Sequence, residues 1–164
     1  MKFFVNGGFS NTRLLQIILV FTLTYIAILW VTNLLLYVEK IGFTYNSVVS
    51  YYLGSEEEFK NPVSYMGLLE VSHFHLFTFA FVLLLLTHLM TFLNISGYLK
   101  AFLIFLSFIA GIGNICAGWL IRYVSPGFAY LKIGSFLVFQ ISFLFLLVFS
   151  FFAVRIYQKD REKR

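Results

Sequence analysis

Charge is what this sequence has least of. Lys, Arg, Asp and Glu supply 12% of its 164 residues and 60% are hydrophobic, whereas soluble domains carry roughly a quarter charged residues. With a mean hydropathy of +0.89, a soluble globular domain is excluded. Cysteine occurs once, as Cys116 within an apolar run. No intramolecular disulfide can form, and the residue reads as a small packing side chain. Proline occurs twice: Pro62, after Asn61, reads as a helix start with Asn61 as its cap, and Pro126 sits in the SPG turn. Acid is scarce too, and Glu70 is the one carboxylate inside a long apolar segment. The metal-protease HExxH, the nucleophile elbow GxSxG and a phosphate-binding glycine loop are all missing, so no catalytic residue is assigned.

What is present is apolar length. Crossing a hydrocarbon core of about 30 Å takes roughly 20 helical residues, and four segments suffice: Leu14–Val38, Ser64–Leu93, Leu99–Arg122 and Ile133–Tyr157. The first is too long and too internal for a cleaved signal peptide. The expected fold is an all-α, four-transmembrane-helix bundle, a polytopic membrane protein forming one domain over residues 1–164, with a basic tail at 155–164. Lys2 and Arg13 precede the first span, Lys100 lies between the second and third, and Arg155, Lys159, Arg161, Lys163 and Arg164 crowd the end. The loop Glu39–Val63 is acidic by comparison. The bias of basic residues therefore predicts cytoplasmic N- and C-termini. The tail suits anionic lipid headgroups, and so short a basic stretch without a folded basic surface argues against nucleic acid.

This topology puts Asn33, Glu70, His73, His75, Arg122 and Gln140 at one depth, toward the outer leaflet, with His88 alone near the other. Polar groups in a bilayer are costly and normally face the bundle interior, so a clustered outer site is expected. At about 100° per residue, Glu70, His73 and His88 share one face of the second helix while His75 points the opposite way. His73 and His75 therefore cannot ligate one metal from a regular helix. Glu70-x-x-His73 has the spacing of di-iron carboxylate bundles, yet no other span offers a carboxylate to complete such a site. A zinc or copper site from Glu70, His73 and a second copy's His75, or one drawing on His88, remains as an alternative. His75 has a plain reading, hydrogen-bonded to Asn33 or Gln140; His88 has one, satisfied by Thr87 or Thr91.

His73 and His88 lie about 22 Å apart along a helix rising about 1.5 Å per residue, a separation similar to that of the histidine pairs in cytochromes b. The similarity covers one helix only. It implies haem b with axial His73 and His88, and the matching histidines must then come from a second copy or another subunit. In the third helix Ser107, Gly111, Asn114, Gly118 and Arg122 form a stripe of small and polar residues, able to admit a flat cofactor over Gly111 and Gly118 or simply a neighbouring helix. Arg122 can pair with Glu70 or bind a haem propionate, a phospholipid phosphate or a quinone carbonyl.

The stretches LLEVSHFHLF and WLIRYVSPGFAYL resemble the two signatures of a group of small bacterial inner-membrane proteins with four predicted spans. The resemblance runs from GSEEEF to AYLK and includes Glu70, His73, His75 and Arg122. It implies a bacterial cytoplasmic-membrane location and points to the outer cluster without naming its chemistry. The residues favour a haem b or quinone-linked electron-transfer protein, homo-oligomeric or part of a larger respiratory membrane complex. The alternatives are a non-catalytic accessory or assembly subunit, and a metal- or proton-transport component using Glu70 and the histidines.

Overall fold

The computed structural model describes residues 12–162, with side chains described for residues 14–155. Lys2, Arg13, Lys159, Arg161, Lys163 and Arg164, on which the expected orientation rests, lie outside the described side chains. The helices are α1 (Thr12–Lys40), α2 (Tyr45–Leu53), α3 (Tyr65–Thr91), α4 (Gly97–Tyr123) and α5 (Ala129–Glu162), with a 3-10 turn at Pro126–Phe128 between the last two. Four of them, all but α2, are long and apolar enough to cross a membrane. A helix of α3's 27 residues is about 40 Å long, more than a bilayer core requires, so it tilts or projects.

The boundaries differ from expectation for identifiable reasons. Helix α3 is capped by Ser64, whose hydroxyl accepts from the Gly67 amide at 3.0 Å, so Asn61 and Pro62 belong to the preceding strand-like approach and not to the helix. The loop after α1 contains α2, closed at its start by a reciprocal Thr44–Ser47 capping box. At the other end α5 begins before Ile133, because Ser125 caps the turn that leads into it, and Lys132 therefore lies within the helix.

Helix α5 is the hub, packing against α1, α2, α3 and α4. Two apolar cores flank it. One, toward the termini and the α3–α4 turn, joins Leu23, Ile26, Leu83, Leu86, Met90 and Leu146. The other, under α2, joins Val48, Tyr52, Leu68, Ile121 and Ala129. Lipid tails are as apolar as these side chains, so fit and hydrogen bonds hold membrane helices together. Such bonds cross the seams: Trp30 Nε1 donates to the Gln140 carbonyl at 3.2 Å, Trp119 Nε1 to Ser72 Oγ at 2.8 Å, and Ser150 Oγ to the Leu86 carbonyl at 3.2 Å. At the α3–α4 turn Lys100 Nζ donates to the Thr91 carbonyl at 2.9 Å.

Candidate functional site

Between the two cores the packing gives way to a polar cleft. Its floor is α5, whose Lys132, Phe136, Phe139 and Gln140 recur at helical spacing and are all buried. Helix α1 brings Asn33 and Tyr37 to one wall, α3 brings His75 and Phe79 to the other, and α2 roofs the end with Tyr51 and Tyr52. A cavity of about 180 Å³ lies among these groups. An adjoining space of about 60 Å³ continues along Trp30, Thr78 and Gln140.

Lys132 organises the cleft. Only 7% exposed, its ammonium donates to the Asn114 carbonyl at 2.9 Å and to Asn114 Oδ1 at 2.8 Å. Its Nζ also lies 5.7 Å from the centre of the Tyr52 ring, within cation–π range. Those two bonds leave one further position on Nζ without a partner among the described residues. Tyr37 Oη and both amide atoms of Gln140 are buried with no hydrogen-bond partner among the described residues. Buried polar atoms are paired in the great majority of cases; here Tyr37 lines the larger space and Gln140 the smaller one. His75 Nδ1 lies 2.7 Å from the Val71 carbonyl. A carbonyl can only accept, so Nδ1 carries the hydrogen and Nε2 of the neutral ring is left as an acceptor. On the roof, burial above all, with the neighbouring Tyr51 and Tyr37 hydroxyls, raises the Tyr52 pKa and keeps that group neutral.

The six polar residues expected to converge do not. Asn33, His75 and Gln140 meet at the cleft, but Glu70, His73 and His88 are exposed on the opposite face of α3. The helical wheel separated those faces correctly; what it could not give was which of them α5 covers. Arg122 pairs with neither Glu70 nor the cleft, and its Nε donates instead to the Val63 carbonyl at 3.0 Å. His75 bonds its own helix and not Asn33 or Gln140. Thr87 and Thr91 turn back to the Leu83 and His88 carbonyls at 2.6 Å each, so neither serves the His88 ring. The stripe on α4 packs rings: a Cβ added at Gly111 would meet Phe139 at 3.2 Å and Phe79 at 3.3 Å, and one at Gly118 would meet Tyr52 at 3.0 Å. No flat macrocycle has room there. No group of three or more His, Cys, Asp or Glu residues comes together among the described residues, so the zinc or copper set of Glu70, His73, His75 and His88 is not assembled within one chain.

Lys132 was missed because a lysine at the edge of an apolar run reads as an interfacial anchor. Its register with Phe136, Phe139, Gln140 and Phe143 was the available signal.

A bundle of four spanning helices around a buried polar cleft defines a polytopic helical membrane protein. The chain belongs to the Aq_1264_TM family, a transmembrane helical domain, which matches residues 42–162. No curated protein and no solved structure matches it.

Proposed function

We propose that the protein is a quinone-binding subunit of a membrane electron-transfer assembly. The observation that carries this reading is a pair of adjoining spaces that share Asn33, His75, Phe79 and Phe139, the larger lined by Lys132 and the unpaired Tyr37 Oη, the smaller by the unpaired Gln140 amide. A quinone headgroup is a flat ring with carbonyl acceptors at opposite edges. Aromatic side chains suit its faces, and Lys132, Tyr37 and Gln140 supply donors for its oxygens, while the acceptor Nε2 of His75 suits the hydroxyl of the reduced form. The cavity is smaller than the roughly 300–1,000 Å³ of a site that engulfs a drug-sized molecule; it suits a headgroup whose tail stays in lipid.

The same atoms weigh against a purely structural polar core, whose members would satisfy one another. Glu70 and His73 face away from the cleft, so the carboxylate on which a transport reading rests takes no part in it. Haem b enters this reading only through another chain, since His73 and His88 lie outside the bundle and no second imidazole faces either.

Trp30 lines the inner end of the cleft and reports on it. In a Trp119→Phe background reconstituted in nanodiscs, short-chain ubiquinone or menaquinone analogues are expected to quench Trp30 saturably. Gln140→Leu should weaken the apparent affinity about tenfold, the equivalent of one lost hydrogen bond of about 1.4 kcal/mol. Quenching that stays linear in quinone and is unchanged by Gln140→Leu sinks the proposal.

A further inference from the structure

We propose that the outer face of α3 is the contact between two copies of this chain, with Glu70 of one copy meeting His73 of the other. Helix α3 is covered on one side by α4 and α5. Its other side is a continuous stripe in which Glu70, His73 and His88 are exposed and Phe77, Phe81 and Leu84 are 62%, 62% and 63% exposed. Scattered apolar exposure is ordinary on a membrane helix; a carboxylate and two imidazoles on a lipid-facing stripe are not, because such groups in spanning segments are rare and turn toward protein partners. Glu70 has no partner of its own: among the described residues the one salt bridge is Lys60–Glu58.

The stripe also says which partner fits. A two-fold axis along the bilayer normal sets two α3 helices side by side and parallel, with every residue at the depth of its own copy. Glu70 and His73 lie one turn apart on the same face, so each carboxylate has an imidazole of the other copy within a turn, and the pairing is reciprocal. Below them the Phe77 and Phe81 rings, 4.7 Å apart between centroids, form a ridge beside the small exposed Ala80, where a second helix can approach closely. The contact uses Glu70, His73, Phe77 and Phe81, none of which lines the cleft, although Phe74 at the cleft's mouth lies beside the stripe.

The test is oxidative cross-linking in native membranes. In a Cys116→Ala background, single cysteines replace Phe77, Phe81 or Leu84, with Tyr25→Cys on α1 and Ile109→Cys on α4 as equally exposed controls. Disulfide-linked dimers are expected at the α3 positions and not at the controls. Adding Glu70→Ala to Phe81→Cys should reduce the linked fraction about fivefold, the scale of one interhelical polar contact in a membrane. Light scattering of the unmodified protein should give twice the 19.0 kDa chain mass. A 19.0 kDa particle, or cross-linking at the controls as strong as on α3, overturns the proposal.

Discussion

Lys132 shows how one side chain can set the chemistry of a whole region. Its burial is tolerable because Asn114 offers two oxygens from a neighbouring helix, so the two residues should differ when each is removed. Asn114→Leu strands the buried lysine head and is expected to cost about 2–3 kcal/mol; Lys132→Met leaves Asn114 Oδ1 unpaired and should cost about 1 kcal/mol, and replacing both residues together should be close to neutral. Reversible unfolding in mixed micelles measures all three, and equal losses from the two single changes would show that Asn114 is not what compensates the charge. This part of the site was hardly legible in sequence: Lys132 stands at the edge of the fourth apolar segment, and an edge lysine is usually solvated. His75 was legible as the odd member of its helix, because its angle to Glu70, His73 and His88 follows from spacing alone. Its Val71 bond was not, since nothing in a sequence tells which carbonyl an imidazole finds.

At the scale of elements, the four spans could be read from apolar length, but α2 could not. Tyr45–Leu53 is short and mixed in polarity, and its capping box Thr44–Ser47 is a signal that a long acidic loop easily hides. The roof depends on α4, where Gly118 lets the Tyr52 ring lie against its backbone. Gly118→Ala should overpack that contact and cost about 1–3 kcal/mol, with faster hydrogen exchange in α2 as the local sign. Unchanged exchange there would separate α2 from the glycine. Beyond α2 the hairpin pairs Ser55 and Lys60 through two backbone bonds of 3.0 and 2.9 Å. It holds Phe59 at a φ of +51°, a conformation few large residues adopt. Glu58 secures it, receiving Lys60 at 2.6 Å and the Ser50 hydroxyl at 2.8 Å. Those hydrogen bonds, Lys60 first, lower its pKa below the usual 4.5. A lowered carboxylate pKa stabilises the folded hairpin above the unfolded value, and that contribution is lost as pH falls through the folded one. Protection factors of the amides at residues 55–60, with the intrinsic pH dependence of exchange divided out, should therefore fall on acidification below about 4.5, and in Glu58→Gln they should not change over that range.

The whole molecule is asymmetric about α5. Half of the α5 spanning window is buried, against 11% for α1, so α1 leans on the hub with most of its surface in lipid. That asymmetry is invisible in hydropathy, which scores both helices as spans of similar strength. It leaves the cleft with a side opening, because Leu29 on α1 and Phe74 on α3 line its inner end while remaining 38% and 66% exposed. Thr78→Phe, between those walls, should block the opening, abolishing saturable quenching of Trp30 without lowering stability by more than about 1 kcal/mol. Undiminished binding would place the opening elsewhere. A doorway that faces the hydrocarbon changes what concentration means for this protein. On the quinone reading, the ligand would arrive by diffusion in two dimensions, and occupancy would follow its mole fraction in the surrounding lipid. Extraction into excess detergent dilutes that fraction and strips the site even when affinity is high, so binding constants compare only between preparations of equal lipid content.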